Sequence, residues 1–159
     1  MSTATPAPAP TPPPPPVPDT QVHTVTIVKE VEIAAPIDLA WEAALAQLGP
    51  DNTIMDGSPY PFVFEAWPGG RWFRDLGNNS GHLWGHVQVI KPPTLIEITG
   101  PMFMSYPAMN HVQYRLVATP NGTRLTITHR AHGLMPREHR EGVDKGWAHI
   151  QKRIQEIAA

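Results

Sequence analysis

Residues 111–157 read HVQYRLVATPNGTRLTITHRAHGLMPREHREGVDKGWAHIQKRIQEI, and this stretch decides the fold. Two alternating polar and apolar runs, 111–117 and 123–131, flank the turn signal Pro120-Asn121-Gly122. Asn-Gly readily adopts the left-handed backbone of a tight hairpin, so the runs predict two antiparallel strands. Over 137–157 the apolar spacing lengthens to the helical period, with Val143, Trp147, Ile150, Ile154 and Ile157 on one stripe. A hairpin followed by a long amphipathic helix predicts an antiparallel sheet gripping a terminal helix. Gly142 and Gly146 interrupt that helix, and each costs about 1 kcal/mol relative to alanine in a helix interior. The reading that accommodates them is a close approach of helix to sheet.

Upstream, residues 23–34 alternate well: Val25, Ile27, Val31 and Ile33 share one parity, broken only by Lys29. That predicts a long strand with one buried face. Pro36 suits a helix start, Asp38 suits first-turn amides, and 39–48 reads as a short helix stopped by Gly49-Pro50. Residues 51–59 read as a loop or a further short helical turn. Strands are then expected at 60–67, 71–76, 82–91 and 94–99, separated by Gly- and Pro-bearing turns. The fold class is α+β: a curved seven-stranded antiparallel sheet around the C-terminal helix, with one or two short helices after the first strand.

Composition narrows the function classes. Residues 1–20 hold nine of the 20 prolines. Proline lacks an amide donor and fixes φ, so residues 1–21 are expected to be a disordered leader and 22–159 the folded domain. The net charge of −2, with basic residues spread along the chain, gives no nucleic-acid footprint. The absence of cysteine excludes disulfides and thiol chemistry. No apolar run reaches the length of a membrane span, and the leader does not read as a signal peptide, so a cytoplasmic location is expected.

Several pieces in order resemble one family: VEIAAPIDLAW at 31–41, GHV at 85–87, KPPTLI at 91–96, GTRLTITH at 122–129 and GW at 146–147. Together they resemble START-related helix-grip proteins of the SRPBCC superfamily. The closer likeness is to the branch homologous to the C-terminal domain of an activator of a heat-shock chaperone's ATPase. The resemblance implies an apolar cavity between sheet and terminal helix that takes lipids, polyketides or other apolar small molecules. It also implies two small helices between the first two strands. Some relatives are enzymes and others regulate chaperones. Relatives of this branch often carry a tryptophan-rich segment after the first helix, whereas residues 48–60 contain no tryptophan.

The resulting expectation is a binding module for an apolar or aromatic small molecule, with no catalytic residue assigned. A chaperone or other protein partner, or an enzyme of apolar substrates, are the alternatives. Trp67, Trp72, Trp84, Met102, Met104, Tyr106, His129 and Trp147 are the ligand-binding candidates, because aromatic faces and pliable thioethers suit a greasy guest. His82 and His86 lie four apart on a strand and are expected to share a face with Trp84. Glu65, Arg71, His86 and His111 are candidates for a polar rim that orients the guest. Neither a His-Glu-x-x-His pattern nor a phosphate loop occurs, so no metal or cofactor is predicted.

Overall fold

The computed structural model describes residues 3–14, 20–103 and 105–159. Residues 3–14 are exposed and form neither helix nor strand. Pro15 and Pro16, the end of the proline run over 12–16 in the expected leader, lie outside the described residues. The elements are β1 (His23–Ile33), α1 (Ile37–Leu48), β2 (Val63–Phe64), β3 (Arg71–Gly77), β4 (Ser80–Lys91), β5 (Leu95–Gly100), β6 (Ala108–Thr119), β7 (Gly122–Gly133) and α2 (Arg137–Ala158). They build a seven-stranded sheet in the order β1-β7-β6-β5-β4-β3-β2. Every neighbouring pair of strands is antiparallel.

The decisive hairpin closes with Thr119 paired to Gly122, leaving Pro120 and Asn121 at the tip. Gly122 has φ 152° and sits hard against β1: a Cβ there would lie 2.1 Å from the Ile33 carbonyl oxygen. Only glycine fits that approach. The inward residues of β6 and β7, among them Val112, Tyr114, Leu116, Leu125 and Ile127, are fully or almost fully buried. They meet Trp147 and Ile154 of α2 in one core, joined by Trp41 and Leu48 of α1. Lys29, which broke the parity of β1, points at the helix and pairs with Asp144 at 2.8 Å.

Three expectations are corrected. The strand foreseen over 60–67 shrinks to Val63–Phe64. Pro61 has no amide to give a ladder, and the flanking amides go back to the loop after α1: Tyr60 donates to Asn52 O at 2.8 Å and Phe62 to Gly49 O at 2.9 Å. The described residues between α1 and β2 form a loop with a Thr53–Pro59 bridge, not the second helix implied by the resemblance. The close approach at Gly142 and Gly146 is absent as well. No heavy atom lies within 4 Å of a Cβ placed at either position.

Candidate ligand-binding groove

That open space belongs to a groove of about 530 Å³ between α2 and the β3–β4 end of the sheet. Phe62, Trp72, Trp84 and Phe103 form one wall, and Gly142, Val143, Gly146, Trp147 and Ile150 of α2 the other. The loop between α1 and β2 supplies the mouth through Ile54, Met55 and Tyr60. The rings brace one another: Phe62–Trp84 centroids are 4.7 Å apart, Trp72–Trp84 5.2 Å and Trp84–Phe103 5.2 Å. Edge-on and tilted contacts of this kind lock the wall while leaving ring faces available. Trp72 is further tied down by its indole N–H, which donates to Leu48 O at 2.7 Å.

A β-bulge aims Trp84. Trp72 pairs with Gly85, but the next residue, Phe73, pairs with Leu83, so Trp84 is the extra residue on β4. The bulge turns Trp84 into the groove, and it breaks the parity expected to join it with His86. His86 lies opposite exposed Arg71 and is itself exposed.

Most of the polar groups lining the groove and behind it are occupied with one another. The Tyr114 hydroxyl donates to Gln47 Oε1 at 2.9 Å, Gln47 Nε2 to Asn52 Oδ1 at 3.1 Å, and Asn52 Nδ2 to Tyr60 O at 3.0 Å. Burial pushes the Tyr114 hydroxyl pKa far up, so it stays protonated and remains a donor. A second chain runs through His129. Trp147 Nε1–H donates to His129 Nδ1 at 2.9 Å, and His129 Nε2 is 2.6 Å from Asn110 Oδ1. Asn110 Nδ2 donates to the carbonyls of Gly100 and Pro101. Because the indole can only donate, Nδ1 must accept, which fixes the neutral tautomer with its proton on Nε2. Burial, and to a lesser degree nearby His139, lower the His129 pKa to about 4. His139, on the groove's rim, is also lowered by burial. Its Nε2 is shut off from water and has no hydrogen-bond partner among the described residues.

The sequence candidates therefore divide. Trp72, Trp84 and Trp147 line the groove together. Met102 is buried and lines not the groove but a smaller pocket that shares Trp84, Phe103 and Tyr60 with it. Tyr106 is half-buried against Ala131 and Met135, with its ring 5.5 Å from that of His139. Met104 lies outside the described residues. Trp67 is 57% exposed in the turn before β3 and is not a wall of the groove. His129 supports the wall from behind, with both ring nitrogens engaged, and has none left to orient a guest.

The proposed rim does not assemble at the groove. Arg71 and Glu65 clasp each other through Nε–Oε1 at 2.7 Å and Nη2–Oε2 at 3.1 Å. Hydrogen bonding to Arg71 lowers the Glu65 pKa, the opposite of a cavity acid. His111 alternates with buried Asn110 and Val112, so it faces the outer side of the sheet, 3.2 Å from Glu97. Among the described residues, no three His, Asp or Glu side chains are grouped to hold a metal. The sequence reading missed Phe62, Gly142, Gly146 and His139 as wall residues. For the last three a signal existed, since they share the α2 face that carries Val143 and Ile150.

Residues 34–159 match the family model described as Activator of Hsp90 ATPase homolog 1-like protein. No functionally curated protein matches the sequence. Among solved structures, a protein from Rhizobium leguminosarum superposes with a TM-score of 0.65 at 16% identity, covering 87% of this chain and 96% of that one. Protein MLL2253 from Mesorhizobium loti gives 0.60 at 19% identity, covering 83% and 95%. The di-domain ARO/CYC StfQ from the steffimycin biosynthetic pathway gives 0.58 at 12% identity, covering 85% of this chain and 49% of StfQ. At these identities the likeness is one of fold.

Proposed function

The chain belongs to the Activator of Hsp90 ATPase homolog 1-like family, and on that footing we propose that it binds an apolar small molecule in the groove between sheet and α2. The observation that carries this reading is the contrast inside the groove. Its walls are mostly aromatic and aliphatic; of the polar residues that line it, Gln47 and Asn52 bond each other and His149 bonds Thr53, which leaves Glu138 and His139 at the rim. Recognition then comes from burial of the guest rather than from a polar or catalytic constellation. At about 25 cal/mol per Å² removed from water, roughly 200 Å² of apolar guest surface supplies about 5 kcal/mol before ordering costs. Micromolar binding, about 8 kcal/mol, therefore requires the guest to bury upwards of about 330 Å² of apolar surface. Residues 22–159 are the unit we assign to this task.

StfQ, a protein of the same fold, acts in a biosynthetic pathway, which is in keeping with small-molecule binding here. A chaperone partner is suggested by the family's name and by no feature of the groove. Native mass spectrometry of the gently purified full chain tests the reading. A stoichiometric apolar adduct, or uptake of one from a panel of apolar compounds, is expected. A clean unliganded mass together with failure to take up any of the panel refutes it and turns attention to partner capture.

A further inference from the structure

We propose that Gly142 and Gly146 determine which molecules the groove accepts, by keeping a strip of α2 free of side chains for a broad, fused-ring apolar body. The proposal rests on the groove being a small-molecule site and specifies the shape of its occupant.

Elsewhere in the chain each glycine either lies close against a neighbour or, as at Gly57, Gly69 and Gly77, has a positive φ of 81–86°. A Cβ on Gly85 would lie 2.7 Å from Thr99 O, and one on Gly100 would lie 2.5 Å from Gly85 Cα. Neither reason applies at 142 or 146, where nothing lies within 4 Å of the added carbon. Both glycines sit inside a regular helix, where they weaken it, and neither gains packing in return. What their bareness leaves open is the groove itself, which both residues line. They are four residues apart and so occupy one face. The strip they clear runs about 6 Å along the helix axis, close to the length of two fused six-membered rings.

The opposite wall points the same way, independently of the glycines. Trp84 is only partly buried, and Phe103 stays 36% exposed although it packs on Trp84 and His139. A rigid ring system resting on the bare helix would cover those faces. A single acyl chain is narrow enough to pass a methyl group on the helix and needs no such strip.

The test uses N-phenyl-1-naphthylamine, followed by its fluorescence, and 1-decanol, followed by displacement of that probe. Alanine at either position restores helix propensity, so Gly142→Ala and Gly146→Ala should raise Tm by about 3 °C. Each should nonetheless weaken naphthylamine binding by about fivefold or more, because the methyl intrudes on the ring body. Decanol binding should shift by less than about twofold. Gly146→Leu should abolish naphthylamine binding, whereas Ala148→Leu, at an exposed position outside the groove, should not. Stabilised alanine variants that bind the naphthylamine as tightly as the wild type overturn the proposal, as do equal losses for both probes. A wild-type chain that binds neither probe refutes the small-molecule reading as well, and so is told apart from failure of the glycine argument alone.

Discussion

The buried Trp147–His129–Asn110 chain makes a quantitative demand on how stability depends on pH. His129 is wholly buried, and its pKa is lowered to about 4 from an ordinary value of 6.5. Protonating Nδ1 would set its new N–H against the Trp147 N–H, donor against donor, in a site without water access. The unfolded chain therefore takes up the proton first as the pH falls. Above pH 6.5 neither state is protonated and the contribution to stability is complete. It is lost between about 6.5 and 4, and below 4 both states carry the proton and the loss levels off. The gap between the two pKa values sets the full loss at about 3 kcal/mol, of which about 2 kcal/mol falls between pH 7 and pH 5.

Urea denaturation of the wild type and His129→Gln at pH 7, 6 and 5 measures it. The carboxamide offers an acceptor to Trp147 and a donor to Asn110 but does not titrate. The variant is less stable at pH 7 because its shape differs from the ring, and the gap between the two proteins should narrow by about 2 kcal/mol by pH 5. The titrating groups that do not interact with His129 are shared by both proteins and cancel from the difference, and coupling to His139 is the smaller cause of the His129 shift. Parallel pH profiles, or a His129 ring resonance titrating near 6.5 by NMR, would refute the reasoning.

Two further outcomes follow from the same geometry. Trp147→Phe removes the indole donor and strands the His129 Nδ1 lone pair in the core, so urea titration at pH 7 should show a loss of about 1–3 kcal/mol. A loss under about 0.5 kcal/mol would mean the hydrogen bond contributes little. Trp84→Leu takes roughly 40 Å² of ring surface from the groove wall and should weaken N-phenyl-1-naphthylamine binding about fivefold. Arg71→Ala and His111→Ala, both outside the groove, should leave the dissociation constant within about twofold. Equal effects at all three positions would place the probe elsewhere.

Strand parity and helix period made most of the architecture legible, because each was written over enough residues to outvote local exceptions. The alternation of 23–33 survived Lys29, whose partner Asp144 lies 115 residues away. The failures share a cause. At 60–67 the chain has strand composition, but Pro61 and the amide bonds to Asn52 and Gly49 compete with the ladder, and no periodicity reports that competition. His111 looked like a rim candidate, yet its parity with Gln113 and Arg115, opposite to that of Val112, Tyr114 and Leu116, already placed it on the outer face. Trp84 shows the deeper limit. Counted along the strand, it shares a face with His86, and only the pairing of β3 with β4 inserts the extra residue that separates them. A bulge is a property of two strands in register, so one strand's sequence cannot announce it. The glycines of α2 mislead in a similar way. Small residues on a buried helical stripe signal either contact or vacancy, and the two readings differ only in what stands opposite. Here the ring wall of Phe62, Trp72 and Trp84 is held by its own edge contacts and by the Trp72–Leu48 hydrogen bond. Braced in this way, the wall does not need the helix to close on it, and the space can persist as a groove.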